Sequence, residues 1–494
     1  MSKTSSGGGG TRVAGFLAAV ASLVVILLLP TPQGLPYAGQ VMLGLLLFSV
    51  ILWMTEAVDY AVSAVLITAL MAFLLGLAPN AAKPDAMLGT SAALGLALGG
   101  FANTALALVA AATFLSAAMT VTGLDRRIAL FVLSKVGART HRVVIGAILV
   151  GVVLAFLVPS TTARVACIVP IIMGIILAFG VDRRSRFAGL LMITTAHAAS
   201  IWNVGIKTAA AQNMVAIGFI EKSLKTTITY PEWLVAAAPW ALAMSVVLYF
   251  VMTRLMKPEM EEVPGGTEAI RNALAELGPM KGSEWRLLGV TLGLLALWST
   301  EKILHPFDTS TTTVAAIALL FLPGFGVMTW KQAQPQVPWG TIVLFGTGIS
   351  LGTALLQTKA AAWLANGIVQ SLGLADASAF AILALLSLFL IVVHLGFASA
   401  TALASAMIPI VIAVLQSVKT PGLNLVGMTM ILQFVVSFGF ILPVNAPQNM
   451  VAYGTDTFTV KDFVRTGVVL TVVGYGLVLL LGATYWPWMG YLTK

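Results

Sequence analysis

Long uncharged runs dominate this chain and most constrain what it can fold into. Of its 494 residues, 27 are Lys or Arg and 18 are Asp or Glu, so 9% of the chain is charged while 59% is hydrophobic. Ordinary globular domains carry about 25% charged residues. So few charges could not cover the surface of a soluble protein of this length. The composition predicts an all-α polytopic membrane protein and excludes a water-soluble enzyme, a nucleic-acid-binding protein and a disordered chain.

The positive charges indicate which side the loops face. An excess of nine positive charges fits the rule that cytoplasmic loops collect Lys and Arg. Residues 1–12 are interpreted as a disordered tail, and the apolar run 13–30 lacks a signal-peptide cleavage site. This run predicts a first transmembrane helix with a cytoplasmic N-terminus, in a bacterial inner membrane. The single cysteine, Cys167, excludes an intramolecular disulfide and has a simple packing role in an apolar run.

A polar connection divides the chain almost in half. It covers 257–285 and separates an N-terminal half, 13–256, from a C-terminal half, 286–494. Each half holds an apolar block that is too long for one crossing of about 20 residues, at 143–180 and at 378–416. Both blocks contain proline and polar residues, a pattern typical of re-entrant helical hairpins and broken helices.

Two motifs recur in the same order in both halves. Ser-Thr-Thr-Ala at 160–163 is followed by Pro170, and Ser-Ala-Thr-Ala at 399–402 is followed by Pro409, 239 residues later. Gln-Asn-Met-Val-Ala at 212–216 recurs at 448–452, after 236 residues. Two matches in order and at nearly equal offset indicate an internal repeat.

The charges flanking the two hairpins predict opposite orientations. The second hairpin has only Asp376 before it and Lys419 after it, whereas the first lies between two basic groups: Arg126, Arg127, Lys135, Arg139 and Arg142 before it, and Arg183, Arg184 and Arg186 after it. One hairpin therefore enters from each side of the membrane. The result is an inverted-topology repeat with both polar tips near mid-membrane, an arrangement that alternating-access transporters use repeatedly.

The hairpin tips are the candidate substrate site. Helix N-termini present unpaired N–H groups and partial positive charge, so a carboxylate or sulfonate fits there. The alternative is that these hydroxyls only hold helices together, but two copies in an inverted repeat favour binding. The candidate substrate-binding residues are Ser160, Thr161, Thr162, Ser399 and Thr401 at the tips, with Asn213, Asn445, Pro447 and Asn449 in the adjacent broken helices.

Ionisable residues inside the membrane are costly and mark functional sites by default. Arg164 and Lys207, with Asn203 nearby, are the candidates for charge compensation or coupling. The alternative for Arg164 is an acidic partner or snorkelling to the interface. His197 and His394 are predicted to pack, with a proton relay as the alternative role. Glu56 is predicted to be buried and to hold helices together.

Taken together, the motifs resemble the divalent anion/sodium symporter family, which includes di- and tricarboxylate carriers. The resemblance covers about 40–490 and rests on Trp-x-Thr-Glu-Ala at 53–57, Gly-Leu-Asp-Arg-Arg at 123–127, the two Ser-x-Thr tips, and Pro-x-Asn-Ala-Pro-x-Asn at 443–449. It implies eleven transmembrane helices plus two hairpins, a homodimer, and a transport domain that moves like an elevator against a scaffold.

One departure from the family concerns sodium. The family's tip motif is Ser-Asn-Thr, whose residues bind substrate carboxylate and sodium, but Thr161 and Ala400 occupy the asparagine positions here. A sodium site would lie near Ser160, Asn203, Ala400 and Asn445, and the two missing amides argue against it. The segment 159–164 is more similar to the branch that exchanges one organic anion for another. We hypothesise that Arg164 or Lys207 supplies the charge that sodium supplies elsewhere.

The expected function is secondary active transport of small organic dianions. The expected substrates are C4–C5 dicarboxylates, citrate or a related sulfonate, moved by anion exchange or by sodium symport, with no cofactor other than a coupling sodium ion. The alternative is an inorganic-anion permease or an ion antiporter on a related fold. An enzyme is not expected, because the chain has no His-Glu-x-x-His motif and no Ser/His or Ser/Lys arrangement.

Overall fold

A computed structural model describes residues 8–80, 83–137, 139–178, 180–259 and 266–493. Helices account for most of this structure, which confirms the all-helical class, and one short antiparallel strand pair, β1 (Pro79–Asn80) and β2 (Lys83–Met87), interrupts them. The helices of the N-terminal half are α1 (Gly8–Leu28), α2 (Tyr37–Thr55), α3 (Tyr60–Gly76), α4 (Thr90–Leu98), α5 (Thr104–Thr122), α6 (Leu124–Val136), α7 (Thr140–Leu157), α8 (Thr161–Ala178), α9 (Arg186–Gly205), α10 (Ala211–Phe219) and α11 (Tyr230–Leu255).

The C-terminal half repeats this helical character. Its helices are α12 (Gly266–Glu276), α13 (Gly282–Ser299), α14 (Thr309–Leu320), α15 (Trp330–Ala333), α16 (Trp339–Gln357), α17 (Ala360–Ser371), α18 (Ala379–His394), α19 (Ala400–Ser417), α20 (Leu425–Val436), α21 (Pro447–Tyr453), α22 (Val460–Ala483) and α23 (Tyr485–Trp488). Single 3-10 turns lie at Lys207–Ala209, Gln334–Gln336 and Pro443–Asn445, and a π-helical turn lies at Ile220–Leu224.

The helices have the length and composition of membrane spans. Within the described ranges, nine are long and apolar enough to cross a bilayer, and five further apolar helices are shorter. α9 differs from the other candidate spans because it has no exposed face. Every residue from Phe187 to Gly205 is buried inside the protein. This burial explains how one helix tolerates Thr194, Thr195, Ser200 and Asn203, since other helices rather than lipid surround it.

Two helix pairs and two interrupted helices recur in the two halves. α7 and α8 are joined by residues 158–160, and α18 and α19 by residues 395–399. α9 and α10 are separated by a break at 206–210, and α20 and α21 by a break at 437–446. Asn213 Nδ2 donates to the carbonyl of Asn203 at 2.7 Å, and Asn449 Nδ2 donates to the carbonyl of Gly439 at 2.8 Å. The two donors are 236 residues apart in sequence, and so are the two acceptors. Both halves therefore stabilise the break in the same way.

Small residues bring α16 close to the second helix pair. Gly348 and Gly352 of α16 face Ser405 and Pro409 of α19, and a Cβ at either glycine would collide with those side chains. Glycines four residues apart let helix backbones approach closely in a membrane, where van der Waals packing replaces the hydrophobic effect.

Two expectations differ from the structure, one at the N-terminal tail and one at Glu56, and the polar connection contains a helix. α1 already begins at Gly8, inside the segment predicted as a tail, and residues 1–7 lie outside the described residues. The polar connection contains the amphipathic helix α12, whose apolar side chain Ile270 is buried. Glu56, expected to be buried, is exposed at the C-cap of α2, and it accepts a hydrogen bond from Tyr60 Oη at 3.2 Å.

One end of the molecule collects the basic loops. Arg127 of α6 donates to the carbonyl oxygens of Leu277 and Gly278 and forms an ion pair with Glu284 at 2.7 Å, which fixes the polar connection against α6. The basic residues after α8 and at the end of α11 lie together around a surface cleft. We refer to this side as the basic end.

Candidate substrate-binding site

The tips of both helix pairs line one cavity of about 300 Å³. Its lining includes the five tip residues predicted from the sequence, Ser160, Thr161, Thr162, Ser399 and Thr401, together with Ala400 and Pro447. The two motifs, 239 residues apart in sequence, therefore meet in space. A cavity of this volume is at the small end of the range for ligand pockets, which suits a compact metabolite.

Helix N-termini converge on this cavity. Ser160 Oγ accepts a hydrogen bond from Ala163 N at the start of α8, and Ser399 Oγ accepts one from Ala402 N at the start of α19. α10 and α21 also begin at the cavity, and neither has a side-chain cap. The first turn of a helix leaves N–H groups without helical partners and carries partial positive charge. The described lining contains no carboxylate, so the cavity favours an anion.

Arg164 lies directly behind the first tip and is fully buried. Its guanidinium donates to the carbonyl oxygens of Val158 (2.9 Å) and Ala209 (3.1 Å), and to Asn203 Oδ1 at 2.6 Å. Thr161 Oγ1 and the Ala199 carbonyl complete this group of oxygens at 3.4 and 3.5 Å. Carbonyl, amide and hydroxyl oxygens in this arrangement could hold a hard cation, and here the guanidinium occupies their centre.

The charge on Arg164 has no carboxylate partner among the described residues. Arg164 neither pairs with an acid nor reaches an interface, which were the alternatives to a functional role. It touches Thr161 and Asn203, and both of these line the cavity. Its positive charge is therefore fixed one side chain away from the cavity.

Lys207, the other candidate cation, is neutralised elsewhere. Its Nζ lies 4.0 Å from Glu301 Oε2 and donates to Thr309 Oγ1 at 3.3 Å. Glu301 also accepts from Thr309 Oγ1 (2.8 Å) and from Tyr230 N (3.1 Å). Lys207 thus anchors the break between α9 and α10 to the loop before α14, and it does not line the cavity.

The second tip contains no equivalent of Arg164. Leu403 stands 239 residues after Arg164, at the matching position. Asn445 Nδ2 instead donates to the carbonyl oxygens of His394 (3.0 Å), Leu395 (3.3 Å) and Phe397 (3.0 Å). His394 lines the cavity, and its Nδ1 has no partner within the described part of the chain. The carbonyls of both tips are therefore bonded to nitrogen donors of the protein itself.

Three predicted binding residues lie behind the cavity wall. The amides of Asn213, Asn445 and Asn449 donate to backbone carbonyls at the two breaks and the second tip, and these residues are not part of the lining. The expectation that they line the cavity is therefore wrong. Their amides are used to satisfy the backbone groups that an interrupted helix leaves without partners.

Several lining residues escaped the sequence prediction. Gln212 and Gln448 precede the repeated asparagines and line the cavity, where each donates to a serine of the other half: Ser437 at 3.3 Å and Ser200 at 3.1 Å. Tyr60 also lines the cavity, and its hydroxyl donates to Glu56 Oε1 at 3.2 Å. The signal for the two glutamines was the repeated Gln-Asn pair, although the sequence does not show which of the two side chains faces the cavity, and Tyr60 lies three residues after the motif at 53–57.

A second cavity, of about 310 Å³, adjoins this site. It shares Thr113, Ser160, Thr162 and Pro338 with the first cavity and extends along α8 to Cys167 and Asp125. Asp125 belongs to the first turn of α6, next to Arg126 and Arg127. The second cavity therefore extends from the tip residues to the first turn of α6.

Comparison with known proteins gives matches over nearly the whole chain. The family model of the sodium:sulfate symporter transmembrane region matches residues 10–492. A membrane protein of Cupriavidus necator is 57% identical and aligns with 97% of this chain and 93% of its own length. The sodium-dependent dicarboxylate transporter SdcS of Staphylococcus saprophyticus and the citrate/succinate antiporter of Escherichia coli are each 26% identical, over 93% and 95% of this chain and 88% and 96% of their own lengths.

A solved structure shares the fold. The YdaH transporter of Alcanivorax borkumensis superimposes with a TM-score of 0.53 at 13% sequence identity, covering 86% of this chain and 98% of its own. At this identity the likeness concerns the fold alone.

Proposed function

The chain belongs to the family of the sodium:sulfate symporter transmembrane region, and from that premise we propose that it exchanges small organic dianions across the membrane without sodium. The family resemblance inferred from the motifs is confirmed, and the protein is a membrane transporter and not an enzyme. The proposed substrates are C4–C5 dicarboxylates, citrate or a related sulfonate. The observation that carries the proposal is the Arg164 guanidinium inside the oxygen cluster behind the first tip.

The proposed architecture is the inverted repeat predicted from the sequence. The pairs α7–α8 and α18–α19 would be re-entrant hairpins from opposite sides, among about eleven transmembrane helices. The meeting of both tips in one cavity supports this arrangement. The basic end would face the cytoplasm of a bacterial inner membrane, with the N-terminus on that side. By analogy with the family, the protein would be a homodimer whose hairpins and broken helices move as an elevator.

Substrate carboxylates would bind at the two tips. The hydroxyls of Ser160, Thr162, Ser399 and Thr401 and the free N–H groups of α8, α10 and α19 would donate hydrogen bonds to them. Gln212 and Gln448 reach the cavity from opposite halves of the chain and would contact the middle of the bound substrate. A dianion with an acidic group at each end matches this two-sided arrangement.

A fixed cation also accounts for exchange. A sodium ion can leave with the substrate, but the charge of Arg164 must stay in the site throughout the cycle. In the empty carrier that buried charge would lack an anionic counterpart, and moving it through the membrane is costly. A bound dianion lowers this cost. The loaded carrier would therefore cross readily, while the empty carrier would not.

We expect counterflow in purified protein reconstituted into liposomes. Vesicles loaded with an unlabelled C4 dicarboxylate should take up labelled dicarboxylate, and empty vesicles should take up little. External citrate should compete with the label and sulfate should not, because a small inorganic anion cannot reach both tips. Equal uptake into loaded and empty vesicles would contradict exchange, and uptake of sulfate alone would favour an inorganic-anion permease.

The tip hydroxyls are expected to contribute strongly to binding. Hydrogen bonds to charged groups contribute about 1.5–3 kcal/mol each, so Ser160→Ala with Thr401→Ala should raise the half-saturating substrate concentration about a hundredfold or more. The control is Ser134→Ala with Thr253→Ala, whose hydroxyls donate to carbonyls of their own helices away from the cavity. Unchanged counterflow in a tip variant with a normal melting temperature would disprove the site assignment.

A further inference from the structure

The basic end contains a surface cleft that is separate from the substrate cavity. It has a volume of about 600 Å³ and lies between the start of α9, the end of α11 and the connection from α21 to α22. Five cations line it: Arg184, Arg186, Arg254, Lys257 and Arg465. The carboxylates in its lining are Asp456 and Asp462, and Glu259 lies beside it at the start of α9, so the cations still outnumber the carboxylates.

Both carboxylates of the cleft already have partners. Asp462 accepts from Thr459 N at 3.0 Å and from Thr459 Oγ1 at 2.6 Å, which caps α22. Asp456 pairs with Arg184. Within the described ranges, no ion pair involves the other four cations. Their charge is available to a ligand.

The cleft also holds two helix N-termini, and one of them already binds a carboxylate. α9 and α22 both begin there. The Glu259 carboxylate accepts from Arg186 N at 2.7 Å and from Phe187 N at 3.1 Å, so the first turn of α9 binds an anionic oxygen pair. Glu259 and the capping box of Thr459 and Asp462 already occupy these two N-termini, so a phosphate in the cleft would be bound by the arginine side chains.

Two lipid-facing helices lead into the cleft. α11 packs against α22, and the outward side chains of both helices are apolar and exposed, including Val246 and Phe250 on α11 and Val468 and Val472 on α22. In a bilayer these surfaces contact acyl chains. Arg254 follows Phe250 by one helical turn and stacks on its ring at 5.5 Å. Cationic and apolar surfaces thus meet at the end of α11.

We propose that this cleft binds the headgroup of an anionic phospholipid. The phosphodiester would lie among Arg186, Arg254 and Arg465, with its acyl chains along α11 and α22. Basic pockets between membrane helices on the cytoplasmic side bind such headgroups. Because α9 also leads to the substrate cavity, the lipid would stabilise the helix that positions Asn203. The inference does not depend on which anion is transported.

The test uses the full chain in nanodiscs of phosphatidylcholine with increasing fractions of phosphatidylglycerol. Phosphatidylglycerol should raise the melting temperature of the wild type. Arg254→Gln with Arg465→Gln should weaken the apparent lipid affinity about thirtyfold, since each surface cation contributes a factor of about five. Lys135→Gln with Arg142→Gln removes two exposed cations near the same end but outside the cleft, and should leave the affinity unchanged.

A variant that should strengthen lipid binding makes the test specific. Asp456→Asn removes the carboxylate that pairs with Arg184 and should strengthen lipid binding. Equal weakening in the Lys135/Arg142 variant would show a general surface effect and overturn the proposal, as would an unchanged affinity in the Arg254/Arg465 variant. If inorganic phosphate or glycerol 3-phosphate raised the melting temperature as much as the lipid does, the cleft would be a site for soluble phosphates instead.

Discussion

Replacing Arg164 by alanine is expected to reduce dicarboxylate exchange in sodium-free medium about a hundredfold or more. Removing one member of a buried, hydrogen-bonded charge arrangement costs about 2–5 kcal/mol, and here the lost charge is the one that compensates the dianion. The measurement is the initial rate of counterflow in proteoliposomes with choline as the external cation. Arg142→Ala, which removes an exposed arginine of α7, is the matched control and should exchange normally.

The same variant should acquire a response to sodium. Without the guanidinium, the oxygens of Val158, Ala209 and Asn203 lose the donor that they share and surround a space next to the cavity. Sodium at high concentration should then restore part of the exchange in Arg164→Ala and leave the wild type unaffected. Arg164→Lys, which keeps the charge, should retain more activity than Arg164→Ala. Full exchange by a stably folded Arg164→Ala protein in choline would contradict the assigned role.

The second large effect concerns the buried pair of Lys207 and Glu301. Lys207→Met should strongly destabilise the protein, because it leaves the Glu301 carboxylate buried without its cation. Breaking such a pair costs about 3–5 kcal/mol. Glu301→Gln should have a similar effect for the opposite reason. The double variant should be more stable than either single variant, since no uncompensated charge remains.

Thermal unfolding of the purified protein measures this coupling. Asp456→Asn breaks the exposed pair with Arg184 and serves as the control, because surface pairs contribute little to stability. We expect no measurable change in the melting temperature for that variant. If the Lys207→Met and Glu301→Gln effects simply add in the double variant, the two residues are not coupled and the ion pair is not what holds the break between α9 and α10.

The tips of the candidate site could be predicted from the sequence because their motif occurs twice in the chain. Ser160 and Ser399 recur in the same motif, and such a repeat shows up without any knowledge of three-dimensional contacts. The helix pairs were also predictable, since a proline and hydroxyls inside a long apolar block are unfavourable in a lipid-facing helix. The structure joins the two motifs in one cavity.

The direction of individual side chains could not be predicted in the same way. Gln212 and Asn213 are neighbours in one motif, yet the glutamine lines the cavity and the asparagine bonds to the backbone of the break. Which of the two faces inward depends on the backbone angles at an interrupted helix, and these do not follow from helical periodicity. The same reason explains why Asn449 was expected to line the cavity and Gln448 was not.

The roles of the two cations also required the structure. Arg164 and Lys207 look equivalent in sequence, as basic residues in apolar segments. Glu301, which neutralises Lys207, lies 94 residues further along the chain. Long-range pairing of this kind leaves no local pattern. Once Lys207 is paired, Arg164 is the candidate that can compensate the substrate's charge.

The cation dependence of exchange by the wild-type protein tests directly whether Arg164 takes the place of sodium. Proteoliposomes loaded with dicarboxylate are diluted into medium containing labelled dicarboxylate and either sodium or choline, and the initial rates are compared. Because Arg164 already occupies the oxygens that would hold a cation, the rates should agree within about twofold, a difference well under the 1.4 kcal/mol of a tenfold change. A loss of uptake of about tenfold or more in choline would contradict this role of Arg164 and indicate sodium symport.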